Sequence, residues 1–460
     1  MMDLLETLTD ELGAVAVLTG ADAEEKSQGA WAPMGTPLAI IRPANTQEVS
    51  RVMELAHAAG QQVIAWGGKT GLVEGGHADG ELALSLERLN AIDSIDPIGG
   101  TMSVQAGVPL QKVCEAAEEA GFFFPLDLGA RGSATIGGNI ATNAGGNRVI
   151  RYGMTRALVL GLEAVLADGT IVSSMNRLIK NNAGYDLKQL FIGTEGTLGI
   201  VTRAVVRLHS KPLSQDTGLV GVESFENLPK LLRHMEARLG GTLSAYEVMW
   251  DGFYQLVTNE PAAGRSPLEG RYPYYVLVEA MGGDQEADTP RFEHALMGAL
   301  EDGIICDAVI AKSDSEREAM WALRDDVGQV LHHYPIFTFD VSLPIADMEI
   351  YVAGLEASFD ATWPDNKLFV FGHLGDGNLH VIIGVGDDSS EARKAVEQIV
   401  YAPLQKIGGS VSAEHGIGLE KRDYLALSRG PEEIALMRLL KKSLDPKGIL
   451  NPGKVLSPEN

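Results

Sequence analysis

The chain has few cysteines, a deficit of basic residues and no long uncharged apolar run. Its 460 residues include two cysteines, Cys114 and Cys306, which provide neither a disulfide framework nor the four thiolates of an iron–sulfur cluster. Lys and Arg number 37 and Asp and Glu 62, so the formal charge of −25 argues against nucleic acid and anionic membranes as partners. The missing apolar run argues against an integral membrane segment.

Length and composition indicate a globular protein. A chain of this length predicts two or three domains, and 45% hydrophobic and 22% charged residues are ordinary for a soluble protein. Residues 1–18 carry acids rather than a basic signal or an arginine-rich transit peptide, so they predict an amphipathic helix. A cytoplasmic protein is expected, with peripheral membrane attachment as the alternative.

Strands and helices alternate along the chain. Residues 37–41 and 62–66 predict strands on either side of a helix that has Thr46 as its N-cap and ends at Gly60. The sequence composition changes near residue 213, where strands and helices continue with fewer glycines, which predicts a second domain. Residues 431–444 predict a C-terminal helix. The chain therefore predicts an α+β protein.

Glycine is abundant and concentrated. The 53 glycines gather at 67–76, 129–153 and 193–199. Such clusters mark places where backbone approaches a ligand closely, or they are simply loops. None matches the Rossmann fingerprint or the Walker A spacing. Backbone N–H groups in these loops are suited to holding a diphosphate.

Three histidines and a glutamate lie in one short region. His373, His380 and Glu414 are the ligand types of a catalytic metal site with an open position, and His415 is left as a base. In a flat strand or a helix, His373 and His380 could not reach one ion, so the turn 375–377 (Gly-Asp-Gly) must bend the chain. The alternative is that these are ordinary turn and core histidines.

Five motifs in order resemble a known flavoprotein family. Residues 67–76, 125–153 and 181–202 resemble the flavin-binding segments of the vanillyl-alcohol-oxidase-type FAD family. The motifs GHLGDGNLH at 372–380 and AEHGIG at 413–418 resemble its D-2-hydroxyacid dehydrogenase branch. That branch includes D-2-hydroxyglutarate dehydrogenase, cytochrome-linked D-lactate dehydrogenase and the FAD subunit of glycolate oxidase.

The resemblance implies an architecture. We expect a two-subdomain FAD-binding domain over 1–212 and an α+β substrate cap domain with an antiparallel sheet and the metal site over 213–420. A C-terminal helical segment, 421–460, is expected to return to the FAD domain.

The resemblance also implies which residues contact noncovalent FAD. The diphosphate would be wrapped by Gly67, Gly68, Lys69, Thr70, Gly71 and Leu72. The rest of the cofactor would be lined by Pro125, Asp127, Gly129, Ser133, Gly137, Gly138, Asn139, Thr142 and Gly146. The adenine would lie near Glu195, Gly196, Gly199 and Ile200, and Asn451 would return to the flavin. Lys69 departs from the more usual glycine and Ala134 from a common cysteine. Covalent attachment through His77 is not expected.

A 2-hydroxyacid offers a carboxylate and a hydroxyl that can chelate one metal, with zinc expected first and Mn, Fe or Co as alternatives. His415 would take the hydroxyl proton, and Asn378 could bind the carboxylate. Arg324 matches the substrate arginine of the family; the alternative is a helix-surface arginine paired with Asp325 or Asp326.

Departures from the family pattern bear on the substrate. Thr338 and Gly328 stand where D-2-hydroxyglutarate dehydrogenases carry a lysine and a threonine, which weakens recognition of a second carboxylate unless His332 and His333 compensate. A D-lactate-like substrate is therefore at least as well supported as a D-2-hydroxyglutarate-like one.

Two other readings stay open. The chain could be a glycolate oxidase-type FAD subunit that works with a separate iron–sulfur protein, or a noncatalytic flavin- or metal-binding protein. The sequence does not identify the electron acceptor, which could be an electron-transfer flavoprotein, a cytochrome, a quinone or oxygen. The oligomeric state stays open, with a homodimer as one possibility.

Overall fold

The computed structural model describes residues 2–458. Its helices are α1 (Met2–Leu12), α2 (Gly20–Lys26), α3 (Thr46–Ala59), α4 (Leu110–Glu119), α5 (Ile136–Thr142), α6 (Val149–Tyr152), α7 (Thr155–Leu158), α8 (Asn227–Leu239), α9 (Asp251–Thr258), α10 (Gln285–Glu301), α11 (Asp314–Asp325), α12 (Met348–Thr362), α13 (Ser390–Ile407) and α14 (Pro431–Leu444). Within the described range, none of the helices has the length and apolar character needed to cross a bilayer.

The strands are β1 (Val17–Leu18), β2 (Ala39–Ile41), β3 (Val63–Trp66), β4 (Leu82–Ser85), β5 (Ile92–Asp96), β6 (Thr101–Gln105), β7 (Phe122–Phe123), β8 (Val159–Val165), β9 (Ile171–Ser174), β10 (Ile200–Arg207), β11 (His209–Ser210), β12 (Ser214–Val222), β13 (Leu243–Trp250), β14 (Tyr274–Gly282), β15 (Asp307–Ile310), β16 (Ile336–Ser342), β17 (Lys367–His373) and β18 (Asn378–Gly384). Short 3-10 turns connect several of them.

The chain forms two compact units. The first unit contains the described residues up to Gly146, then Gly153–Lys211, then the chain from Glu414 onward. It holds a four-stranded sheet in the order β1-β2-β4-β3, a five-stranded antiparallel sheet in the order β5-β6-β10-β8-β9, and the pair β11-β7. In the four-stranded sheet, β2, β4 and β3 are parallel.

The second unit contains Asn147–Tyr152 and Pro212–Ala413. Its seven strands form one antiparallel sheet in the order β15-β12-β14-β13-β17-β18-β16. Apolar side chains of one face, among them Leu277, Phe369 and Phe371, pack with Phe253 and Leu323 of α9 and α11. This core leaves the polar residues of the same face at one end of the strands.

Helix α3 shows how local sequence sets an element. Val49, Val52 and Met53 are buried, and Gly60 ends the helix in the left-handed region at φ 67°. The N-cap prediction was wrong by one residue: Asn45, not Thr46, is the N-cap, and its side chain accepts a hydrogen bond from Glu48 N at 2.9 Å. Asparagine is a stronger N-cap than threonine, and Thr46 Oγ1 donates to Glu163 instead.

The predicted bend at 375–377 is confirmed. Strands β17 and β18 form an antiparallel hairpin in which Phe371 lies opposite His380. The connection is a 3-10 turn, Leu374–Asp376, followed by Gly377 in the left-handed region at φ 86°. The hairpin reverses the direction of the chain and places His373 and His380, the two histidine ligand candidates, at the same end of the sheet.

Candidate functional site

A row of polar side chains crosses the end of the second unit's sheet. In the register of the strands, Glu247 of β13 lies opposite His373 of β17, and Asp340 of β16 lies opposite His380 of β18. The rings of His373 and His380 are 5.5 Å apart between centroids, and one nitrogen of each lies within 4.8 Å of the other. Two acids and two histidines thus share one face of four adjacent strands.

Glu247 is the partner of His373 and Arg324. Its carboxylate accepts from His373 Nδ1 at 2.7 Å and from Arg324 Nε at 2.8 Å, and 1% of the residue is exposed. Burial by itself raises the pKa of Glu247, yet the charges and hydrogen bonds of His373 and Arg324 hold that pKa below its ordinary value. When the imidazole of His373 is neutral, a carboxylate on Nδ1 fixes the tautomer and leaves the lone pair on Nε2.

Arg324 is buried, which contradicts the alternative of a helix-surface arginine, and its role as the substrate arginine stays a prediction. Its Nη2 lies 3.3 Å from His373 Nε2, its guanidinium stacks over Phe371 at 4.9 Å, and Asp325 approaches only at 3.7 Å. Arg324 therefore belongs to the polar row, next to His373.

Asp340 organises the other end of the row. It is fully buried and accepts from Asn378 Nδ2 at 2.9 Å, from Ser412 Oγ at 3.2 Å and from Ala413 N at 3.1 Å. Asn378 Nδ2 also donates to Val341 O at 3.0 Å, so the predicted bond from Asn378 to a substrate carboxylate requires that one of these contacts be given up. The buried Asn378 Oδ1 has no hydrogen-bond partner in the described structure.

Glu414 and His415 follow Ala413 directly in the chain. Since Ala413 N is bonded to Asp340, the next two residues leave the polar row from a fixed point, with successive Cα atoms about 3.8 Å apart. Within the first unit, Glu414 Oε1 accepts from Gly146 N at 2.5 Å. Metal binding by Glu414 and proton transfer by His415 stay predictions.

The loop after β3 in the first unit packs closely against the start of α5. A Cβ added to Gly67 would lie 2.7 Å from Thr135 Oγ1, and one added to Gly68 would lie 2.0 Å from Ser133 O. Lys69 adopts φ 56°, in the left-handed region, which explains why glycine is usual at this position. Its ammonium donates to Lys26 O at 2.6 Å.

Two buried polar atoms beside this loop have no hydrogen-bond partner among the described residues. They are Thr135 Oγ1, next to Gly67, and Asn139 Oδ1, one turn further along α5. A buried hydroxyl or amide oxygen without a partner is costly, and a bound polar ligand is one explanation for such a site. The two buried atoms are consistent with the prediction that this segment contacts the cofactor.

The other predicted cofactor residues all lie in the first unit. The loop after β3 contains Thr70, Gly71 and Leu72; the segment between β7 and α5 contains Pro125, Asp127, Gly129 and Ser133; α5 contains Gly137, Gly138, Asn139 and Thr142; and Gly199 directly precedes Ile200 at the start of β10. Gly146, at φ 113°, passes so close to Asp127 O that an added Cβ would lie 2.1 Å from it.

Glu195 and Asn451 tie the C-terminal segment to the rest of the first unit. Glu195 accepts from Ile417 N at 2.7 Å and Gly418 N at 2.8 Å. Asn451 accepts from Ala65 N at 2.8 Å and donates to Glu195 O at 2.5 Å, and an added Cβ on Gly196 would lie 2.8 Å from its Nδ2. Burial raises the pKa of Glu195, against these two backbone hydrogen bonds. The contacts give both residues a structural role; cofactor contact stays a prediction.

The residues that bear on substrate length lie at the edge strand and the turn before it. Thr338 is exposed on β16, two residues from Asp340 and therefore on the same face of the sheet. Gly328, His332 and His333 belong to the 3-10 turn Val327–His333. The ring of His333 lies 5.2 Å from that of Phe369, and burial lowers the pKa of His333.

Sequence reasoning missed Glu247 as a site residue and did not assign a role to Asp340. Glu247 lies 126 residues before His373, in a strand whose other residues are mostly apolar, and only the strand pairing brings the two together. A charged residue inside an otherwise apolar strand is the one signal that could have identified each of them.

The comparisons with known proteins agree with this arrangement. Residues 37–174 match the family described as FAD binding domain, and residues 211–455 match FAD linked oxidases, C-terminal domain. D-2-hydroxyglutarate dehydrogenase of Xanthomonas citri is 42% identical, covering 92% of this chain and 90% of that protein. A Schizosaccharomyces pombe protein provisionally named a mitochondrial D-lactate dehydrogenase is 37% identical, covering 90% and 81%.

Among solved structures, p-cresol methylhydroxylase with substrate bound has a TM-score of 0.79 at 17% identity, covering 99% of this chain and 97% of that one. That likeness shows the fold, and it confirms the predicted vanillyl-alcohol-oxidase-type fold with mixed helices and antiparallel sheets. With the sequence relatives, it also confirms the family resemblance. The chain belongs to the FAD-linked oxidases, in their D-2-hydroxyacid dehydrogenase branch, and is an FAD-dependent oxidoreductase.

Proposed function

We propose that the protein oxidises a D-2-hydroxyacid to the 2-oxoacid, with noncovalent FAD and one divalent metal ion. The observation that carries the proposal is the pairing of His373 and His380 across the β17–β18 hairpin, in a chain 42% identical to a protein named D-2-hydroxyglutarate dehydrogenase. Two imidazoles at this separation, in a chain that continues from the anchored Ala413 into Glu414 and His415, suit metal-assisted alcohol oxidation.

The first unit offers features suited to FAD. Gly67 and Gly68 leave no room for side chains, and the unpartnered Thr135 Oγ1 and Asn139 Oδ1 provide polar atoms on the adjoining segment. Backbone amides of this loop would hold the diphosphate, as small residues let it approach. His77 Nδ1 lies 3.3 Å from Pro33 O, and its use as a covalent attachment point is not proposed.

His373, His380 and Glu414 would hold the metal. Ligand atoms about 2 Å from one ion lie roughly 3–4 Å apart, which suits the histidine nitrogens within 4.8 Å of one another. Glu247 would keep His373 in the tautomer whose Nε2 can bind a metal. Zinc is the first candidate for two histidines and a carboxylate, and Mn, Fe and Co have compatible ligand preferences.

The chemistry divides between cofactors and side chains. When bound, FAD would supply the hydride acceptor and the metal ion would lower the pKa of the α-hydroxyl. His415 would receive the hydroxyl proton at a ring nitrogen, so that the substrate would lose one proton and one hydride and become the oxoacid. Arg324, beside His373, contributes positive charge for the substrate carboxylate.

D-2-hydroxyglutarate is the first candidate substrate, because the more similar relatives carry that name. A short monocarboxylate such as D-lactate is the second, because Thr338 and Gly328 lack the cation and hydroxyl expected for a distal carboxylate. The relative provisionally named a D-lactate dehydrogenase supports D-lactate as a candidate substrate.

The test is reduction of an electron-accepting dye by the purified, FAD- and metal-loaded chain with D-2-hydroxyglutarate, D-lactate, glycolate and their L-isomers. We expect turnover with a D-isomer and none with the matching L-isomer. No turnover with any hydroxyacid would contradict the proposal, and turnover only after addition of an iron–sulfur protein would favour the glycolate oxidase-type alternative.

A further inference from the structure

We propose that Asp340 is a positioning residue that sets where the chain carrying Glu414 and His415 leaves the sheet. The inference rests on the proposed function, because it assigns a role to the placement of a metal ligand and a base.

The carboxylate of Asp340 joins three pieces of chain. Its Oδ1 accepts from Asn378 Nδ2, the first residue of β18 and two residues before His380. Its Oδ2 accepts from both Ser412 Oγ and Ala413 N. A fully buried carboxylate whose oxygens accept hydrogen bonds from neighbouring segments holds those segments in place relative to each other. A charged acceptor forms stronger hydrogen bonds than a neutral one.

The same segment is attached a second time, two residues along β16. Ser342 N donates to Ser410 O at 3.1 Å, and Ser410 N donates back to Ser342 O at 2.6 Å. Ser410 Oγ then donates to Ser412 O at 2.7 Å. Residues 410–413 are therefore held at both ends against one strand, and the backbone pair does not depend on Asp340.

The two separate attachments of residues 410–413 to β16 predict what loss of the Asp340 carboxylate does. The Ser342–Ser410 pair keeps the segment near β16, while the end at Ala413 becomes free to shift. A misplacement of about 1 Å in reacting groups can slow a reaction by roughly a hundredfold. Asp340→Asn places an amide where three donors, Asn378 Nδ2, Ser412 Oγ and Ala413 N, require acceptors, so at least one contact is lost and the others lose their charged acceptor, while the side-chain volume is kept.

The direct test is hydrogen exchange of the FAD- and metal-loaded protein. In Asp340→Asn we expect amide exchange in residues 412–416 to quicken by roughly tenfold or more, with the β17–β18 hairpin unchanged. Asp365→Asn, an exposed acid in the same unit, is the matched control and should leave both regions unchanged. Unchanged exchange at 412–416 in Asp340→Asn would overturn the inference.

Kinetics provide the second test. Flavin reduction at saturating substrate should fall roughly 10- to 100-fold in Asp340→Asn, and the swap Asp340→Asn with Asn378→Asp, which restores a donor–acceptor pair, should recover part of it. In a His415→Ala background, Asp340→Asn should change the rate by less than about threefold, because both act on one step. A full, multiplicative effect would contradict positioning.

These results separate the inference from the proposed function. His415→Ala at the wild-type rate would contradict the proposed base, whereas the exchange measurement on Asp340→Asn tests the placement of residues 412–416 without reference to activity.

Discussion

Replacing Glu247 by glutamine removes the negative charge of the side chain and keeps its shape, so the effect of the charge can be measured alone. The substitution keeps the volume of a side chain that is almost fully buried, and it leaves one oxygen to serve two donors, His373 Nδ1 and Arg324 Nε. The guanidinium of Arg324 stays buried without its buried counter-charge, and only the more exposed Asp325 remains, at 3.7 Å. The change therefore perturbs the polar row without creating a cavity.

The magnitude follows from the two hydrogen bonds. A bond to a charged group contributes about 1.5–3 kcal/mol, and breaking a buried ion pair by removing one partner costs about 3–5 kcal/mol. Because glutamine retains one acceptor, we expect Glu247→Gln to lower the free energy of unfolding by about 3 kcal/mol. Loss of the carboxylate on Nδ1 should weaken metal binding by roughly 10- to 100-fold.

Two assays measure these effects. Denaturant unfolding of the FAD-loaded protein gives the stability change, and metal titration of the chelator-treated protein gives the affinity change. Glu301→Gln, an exposed acid at the end of α10, is the control and should match the wild type in both. Metal affinity within twofold of wild type in Glu247→Gln would refute the assignment of Glu247 as the residue that orients His373.

The pH dependence has a defined sign. The pKa of Glu247 is lowered in the folded protein, so its ionisation stabilises the fold above the pKa of the unfolded chain, about 4.3, and this contribution is lost as the pH falls through the folded value. The stability gap between wild type and Glu247→Gln should therefore be largest near neutral pH and shrink below about pH 4. A gap that widens on acidification would contradict the assignment.

Three further outcomes are expected. His415→Ala should retain FAD and metal yet reduce the flavin roughly 10²- to 10⁴-fold more slowly, measured by stopped flow; loss of metal would make His415 a ligand instead. Chelation should abolish turnover while the flavin absorbance remains, and activity without stoichiometric metal would contradict the metal role. Asn45→Ala should lower the free energy of unfolding by about 1 kcal/mol, with Thr46→Ser as a comparison that keeps the cap.

The local parts of the site were predictable from the sequence. Glycines at 375 and 377 between two apolar runs specify a turn, and the hairpin that pairs Phe371 with His380 follows from it. Lys69 departs from the family's glycine, yet its left-handed φ is the conformation for which glycine is favoured. Each of these depends on a few neighbouring residues.

The parts that depend on strand order were not predictable. Glu247 reaches His373 because β13 pairs with β17 in a sheet whose order differs from the order along the chain. Asp340 binds Ser412 and Ala413 across more than seventy residues. The N-cap of α3 was missed for a different reason: Asn45 and Thr46 are both good caps, and the buried contact between Thr46 and Glu163 is not visible in the local pattern.

The central claim is oxidation of a D-2-hydroxyacid by the flavin with metal assistance. Its most direct measurement is anaerobic mixing of the FAD- and metal-loaded protein with D-2-hydroxyglutarate or D-lactate, following the loss of oxidised-flavin absorbance. We predict rapid bleaching by at least one of them, none by its L-isomer, and loss of bleaching after chelation that is restored by the divalent ion. A flavin that stays oxidised with both acids, or bleaches equally without metal, would contradict the account.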